Sequence, residues 1–298
     1  MYETGKTTKT RRHEGVCAFL KISVSSCLRG EKRPVKGHLD IVCSADADGR
    51  SYLSRQSFCA PVHLSKPHLD EGALVVNVVN PTAGLFAGDL VRFDVTVEAG
   101  AHLLMTSPSA SRAHKMNAGE AVVEQWFRVK DGGFLEVLPE LFIPQAGCRY
   151  RQRTRIEVAK SGTLIFFETL APGRVAHGET FAFERLDWTT EVLWDGKKVA
   201  RERYTMAGGD SPSLEALRVK FPNAYYLSCL LVGAAFGDFP ALPEEDDVLA
   251  GCSRLPFGCG WAVRLLARDS VALRRMQRWL RKNIYSMQDI RPPALRRY

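Results

Sequence analysis

Between Ala171 and Glu179 the chain reads APGRVAHGE, with an arginine, a histidine and a glutamate inside six positions. A guanidinium binds anions and an imidazole moves protons near neutral pH. Imidazole with carboxylate suits borderline divalent cations such as Ni2+ and Zn2+. His177 and Glu179 are two residues apart, so an extended strand would aim both the same way, whereas Gly178 favours a bend. Two ligands are too few for a tight metal site and would suit a station that a metal also leaves. Active site, metal ligands and polar turn all stand as readings, with Arg174 in a structural role.

Other acids sit in apolar surroundings. Alternation in FLEVLPE (134–140) puts Glu136 on the face of Phe134 and Leu138. In LIFFETL (164–170), Glu168 shares a face with Leu164 and Phe166, and the opposite face carries Ile165, Phe167 and Thr169. A strand apolar on both faces is buried on both, and an unpaired carboxylate there is expensive. Glu168 therefore needs a cation, a polar network or a wet passage, and Arg174 is its nearest basic candidate in sequence. For catalysis the residues do not assemble. TSPSAS (106–111) with His114 lacks a nucleophile elbow, and Cys148 has no signature around it. GLFAGD (84–89) lacks the third glycine of a dinucleotide loop; Gly84 and Gly88 read as tight turns that aim Asp89. With no nucleophile, base and orienting group together, no enzyme is expected, and a hydrolase centred on His177 and Glu179 is the weaker alternative.

The elements that would position these side chains are short strands with turn signals every ten to sixteen residues from about 37 to 206. VLWDGKKV (192–199) carries an Asp-Gly hairpin signal. VEAGAHL, VKDGGFL and VAKSGTL begin at Val97, Val129 and Val158, aligning Gly100, Gly132 and Ser161, then Leu103, Leu135 and Leu164. A period near thirty built of strands and turns predicts stacked β-coils, since one such unit cannot bury its apolar face alone. The expected fold is all-β, β-helix-like layers with a few C-terminal helices. After Met206 the texture changes: a short helical start at Ser211-Pro212, an apolar run to Gly237, an acidic loop PALPEEDD (240–247) and helical spacing over Trp261–Ile284. There Leu265, Leu266, Leu273, Met276 and Leu280 form a stripe, with Arg274, Arg275, Arg278 and Arg281 opposite as candidates for docking an acidic partner.

At 298 residues, 45% apolar and 25% charged, the chain can bury a substantial core. It has no apolar run long enough to span a bilayer, so no membrane role is expected. Val16–Leu28 faintly imitates a leader, but Lys21 interrupts it and Glu14 precedes it; a cytoplasmic protein is expected. The eight cysteines form no C-x-x-C pair and read as reduced thiols, without a clustered zinc set. Of the net +8, residues 1–36 hold nine Lys/Arg against three acids and residues 261–298 ten against two. That leaves 22 basic and 28 acidic residues in 37–260, opposite in sign to a nucleic-acid-binding core. Two parts are expected: a basic, poorly ordered extension over 1–36 and one domain over 37–298.

The stretches APVHLSKP (60–67), NPTAGLFAGD (80–89), GAHLLMTSPSASRAHKM (100–116), LEVLPELFIPQAG (135–147), FETLAPGRVAHGE (167–179), RERY (201–204) and RWLRKNIYSMQDIRPPAL near the end stand in this order along the chain. Together they resemble the UreD family (also called UreH) of urease accessory proteins. His114-Lys115-Met116 departs mildly from that pattern. The resemblance implies a β-helix-like body and a non-enzymatic role in maturing urease, as scaffold and nickel conduit. It implies partners too: urease apoprotein, a UreF-type protein and, through it, a UreG-type GTPase. A homodimer within the accessory complex is left open. No tightly bound cofactor is implied, only Ni2+ in transit. Carried over by motif, the path acids are Asp89, Glu140, Glu168 and Glu179, with His177 beside the last.

Overall fold

The computed structural model describes residues 35–234 and 236–295. The leader-like Val16–Leu28 and nearly all of the basic extension expected over 1–36 lie outside the described residues, as does the end of the chain, 296–298.

Among the described residues the chain forms strands β1 (Lys36–Ala45), β2 (Ser51–Cys59), β3 (His63–Leu64), β4 (His68–Asp70), β5 (Ala73–Val79), β6 (Leu90–Val97), β7 (His102–Thr106), β8 (Ser111–Ala113) and β9 (Ala121–Val129). There follow β10 (Phe134–Leu138), β11 (Phe142–Pro144), β12 (Arg149–Val158), β13 (Thr163–Leu170), β14 (Arg185–Trp194) and β15 (Lys197–Ala207). Helix α1 (Glu215–Arg218) precedes β16 (Tyr225–Val232), β17 (Val248–Arg254) and β18 (Gly260–Ala267), and α2 (Ser270–Met287) follows them.

One sheet runs β15-β14-β12-β9-β6-β1-β2, and its five central strands are parallel. The other runs β17-β18-β16-β13-β10-β7-β5-β3, with β5, β7, β10 and β13 parallel. From β6 to β14 the main strands alternate between the two sheets, so each coil contributes one rung to each. This is the stacked β-coil that the sequence period predicts. Its register matches that repeat: Val97, Val129 and Val158 are paired neighbours in one sheet, and Leu103, Leu135 and Leu164 in the other. The intervening turns stack as well, Lys130 N donating to Val97 O and Ala159 N to Val129 O. Gly100 and Gly132 both adopt left-handed φ at these corners, where a side chain would be strained.

Two apolar layers follow. Side chains such as Leu103, Leu135, Phe127 and Phe166 fill the space between the sheets. Leu104, Ile165, Phe167 and Leu227 face the other way and meet Leu273, Met276, Leu280 and Ile284 of α2. The expected burial of β13 on both faces is therefore met. The heart of the apolar run after Met206 is β16, buried in these two layers by the chain itself.

The C-terminal helix is shorter than the spacing over Trp261–Ile284 suggests. Trp261–Ala267 is strand β18, because its apolar residues serve either period, and the helix begins where Asp269 caps it. The Asp269 carboxylate accepts from Val271 N at 2.8 Å and Ala272 N at 2.9 Å. Asp269→Ala should cost about 1 kcal/mol in chemical denaturation, and Asp269→Ser should cost less. Equal losses for the two would remove the cap as the cause.

Candidate functional site

Glu168 occupies the inner face of β13 and is 6% exposed. The opposite sheet meets it with neutral donors. Its Oε1 accepts from Gln152 Nε2 at 2.9 Å and Trp188 Nε1 at 2.6 Å, and Thr190 Oγ1 lies 3.1 Å from both carboxylate oxygens. Gln152 belongs to a buried polar ladder in which Tyr150 donates to it and Thr154 links onward to Gln125. Along its own sheet Glu168 is in register with Ser228, and Ser228 with Arg264. Arg264 pairs with Glu202, which also accepts from Tyr204 Oη at 2.8 Å; Tyr204 in turn meets Tyr226 Oη. Burial pushes the Glu168 carboxyl up to about 7 against the pull of Trp188, Thr190, the Arg264 charge and Gln152. The Arg264 guanidinium is itself lowered to about 10 by burial, with the Glu168 charge opposing.

A cavity of about 180 Å³ lies between the sheets, bordered by inner-face residues including Val123, Phe127 and Phe166 and by both Glu140 and Glu168. Its lining reaches exposed Ser109 and Ser111. Beyond Glu168 a second cavity of about 30 Å³ is bordered by Trp188, Tyr204 and Tyr226, room enough for a water beside polar partners. Glu168 thus borders both spaces. Near the first, Glu140 accepts from Arg274 Nη2 of α2 at 3.0 Å.

The remaining sequence candidates lie elsewhere. Asp89, 3% exposed, accepts from Val35 N and Phe86 N, each at 2.8 Å, as a turn brace. Gly88 beside it is left-handed, and a Cβ on Gly84 would meet Arg112 O at 2.6 Å. Residues 175–177 form a 3-10 turn ended by left-handed Gly178, so His177 and Glu179 do not share a strand face. His177 is exposed, while Glu179 is clasped by Arg174 through both oxygens and accepts from Ala146 N at 3.1 Å. The Arg174 hydrogen bond holds the Glu179 carboxyl below its ordinary value, with Ala146 N and the Arg174 and His177 charges adding, against some desolvation. The pairing of Glu168 with Arg174 suggested by sequence proximity is not formed: Arg174 is committed to Glu179. Among the described residues no three His, Cys, Asp or Glu side chains group as metal ligands. Of the five candidates, Glu140 and Glu168 share the inter-sheet cavity.

The helix arginines are also corrected. Arg274 pairs with Glu140, Arg275 with Glu245 and Asp247, and Arg281 is buried on Glu136; Arg278 is exposed and has no such partner among the described residues. Sequence reasoning passed over Gln125, Gln152, Thr154 and Thr190. Strand alternation alone places each among inward apolar neighbours, the same signal that flags Glu168.

A model of the UreD urease accessory protein family matches residues 35–297. "Urease accessory protein UreD" of Opitutus terrae is 40% identical over 252 residues, covering 82% of this chain and 92% of that protein. Proteins of the same description from Deinococcus radiodurans and Mycolicibacterium gilvum are 32% and 31% identical, covering 84% and 80% of this chain and 90% of each relative. With its stacked coils, inward acids and a match running nearly the whole described length, the chain belongs to the UreD family of urease accessory proteins.

Proposed function

We propose that the protein serves urease maturation as a scaffold on urease apoprotein and a passage for Ni2+. A UreF-type protein and, through it, a UreG-type GTPase would deliver the metal from the cytoplasm. The observation that supports the passage is the inter-sheet cavity that begins near Ser109 and carries Glu140 and Glu168 along its wall. An acid-lined cleft between low-dielectric walls concentrates cations. No resident metal is required, because dispersed carboxylates hold a cation briefly and release it. His177 and Glu179, at the outer corner, would serve at most as a station on the way, once Arg174 lets the carboxylate go.

Glu168→Gln is the clean test. The amide oxygen can keep the three donors on Oε1, and its NH2 can donate to the Thr190 hydroxyl, so charge is lost without the network. Glu168→Gln and Glu140→Gln should co-purify with urease apoprotein as the parent does, yet slow nickel incorporation on the order of tenfold. Unchanged activation in both would sink the passage. A second reading, a pure interaction module, draws support from the intramolecular partners of Asp89, Glu140, Glu168 and Glu179. It predicts instead that assembly and activation fall together.

A further inference from the structure

The outward face of the seven-stranded sheet is rich in charge, most of it neutralised within the face. Arg92 pairs with Glu124 at 3.0 Å, Arg151 with Glu120 at 2.6 Å and Arg185 with Asp187 at 2.8 Å. Strand β14 presents Asp187, Thr189 and Glu191 outward in succession, with β12 on one side and β15 on the other. In one row the order is Arg155, Glu191, Arg201, so a carboxylate stands between two arginines in register; Lys198 Nζ meets it at 2.5 Å and Arg155 Nη1 at 3.4 Å. In the adjacent row the order is Arg153, Thr189, Arg203. There the central position has no acid. Arg153 and Arg203 are exposed, and among the described residues neither side chain has an ion pair or hydrogen bond. They flank Thr189 at the spacing of two strands, roughly 10 Å between backbones, and all three line a shallow groove of about 620 Å³.

We propose that this groove docks an acidic segment of a protein partner, one of whose Asp or Glu side chains sits over Thr189 as Glu191 sits in the next row. Two guanidinium groups facing one carboxylate give directional, charge-assisted hydrogen bonds. The neighbouring acids decide the kind of partner. Six arginines line the groove, but Glu124, Asp187 and Glu191 stand among them, so its positive charge is broken by acids and suits spaced carboxylates better than the unbroken charge of a nucleic-acid backbone. A peptide that alternates carboxylates with neutral residues fits that pattern. The inference does not depend on nickel passage.

The test uses the full chain and a fluorescein-labelled Gly/Ser peptide bearing three glutamates, followed by fluorescence anisotropy at low salt. Binding should be saturable, and R153Q/R203Q should weaken it at least tenfold. R55Q/R128Q removes two charges from the same face, but from arginines outside the groove and already paired with Asp40 and Asp94, and should weaken it less than twofold. Thr189→Glu supplies the missing acid from within and should weaken peptide binding as much as the R153Q/R203Q pair does, with an unfolding midpoint no lower than the parent's. Absence of saturable binding, equal losses in the two arginine pairs, or parent-like binding by Thr189→Glu would each overturn the proposal. Tighter binding of an oligothymidylate of equal charge would overturn it in favour of a nucleic-acid surface.

Discussion

Arg281→Ala lowers the stability of the fold by about 3–5 kcal/mol, the penalty for leaving one member of a buried ion pair alone. Glu136 is 0% exposed in the middle of β10, flanked in register by Leu104 and Ile165. Its two oxygens are held by Arg281 Nε at 2.6 Å and Nη2 at 2.8 Å, and Tyr285 Oη adds a bond at 2.6 Å. All three donors come from α2, so the pair specifies where the helix lies on the sheet. Removing the guanidinium leaves a buried carboxylate without its cation. Urea denaturation at pH 7 reads the loss directly. A triple replacement, E136L with R281M and Y285F, removes every polar partner at once and should recover most of it, because an apolar set of similar volume avoids the desolvation penalty. A parent-like midpoint for R281A, or no recovery in the triple variant, would discard the pair as an anchor. The anchor also bears on the cavity. Arg274, which binds Glu140 there, rides on the same helix two turns away.

The sequence disclosed the coil more readily than the site, for physical reasons. A β-coil repeats its own local rules, so Val97, Val129 and Val158 mark the register without any knowledge of tertiary structure. Glu168 was legible because an acid on a strand apolar on both faces has to be accounted for. Its partners were not, because Gln152, Trp188 and Thr190 arrive from the other sheet through stacking that no local spacing encodes. Proximity in sequence favoured Arg174, but the glycines at 173 and 178 turn that loop back on itself, and Arg174 meets Glu179 instead. The α2 arginines misled in a related way. Arg281 follows Leu280 at the border of the apolar stripe, four residues before Tyr285, and a helix border residue joins the core wherever the facing strand offers a counter-charge. Glu136 offers one.

Across the range pH 5 to 8, Glu168→Gln should gain on the parent protein by about 3 kcal/mol of folding stability, and the sign is what distinguishes Glu168 from an ordinary paired acid. Burial lifts its folded carboxyl to about 7 from an ordinary 4.5. Between those values the folded protein keeps a proton that the unfolded chain has released. Stability then falls as pH rises, by up to about 1.4 kcal/mol per pH unit. Below 4.5 both states are protonated and above 7 both are ionised, so the slope vanishes at either end. The glutamine variant has no such proton and lacks this contribution to the slope. Urea midpoints for the two proteins at half-unit pH steps give the difference curve. A flat curve would mean that Trp188, Thr190, Gln152 and the Arg264 charge already compensate burial in full. The same titration bears on the proposed passage, since the cation-attracting form of Glu168 is the one gained above pH 7. Nickel incorporation should therefore rise through that pH more steeply in the parent than in Glu168→Gln. A common pH profile for the two would separate the stability effect of this carboxyl from any part in moving the metal.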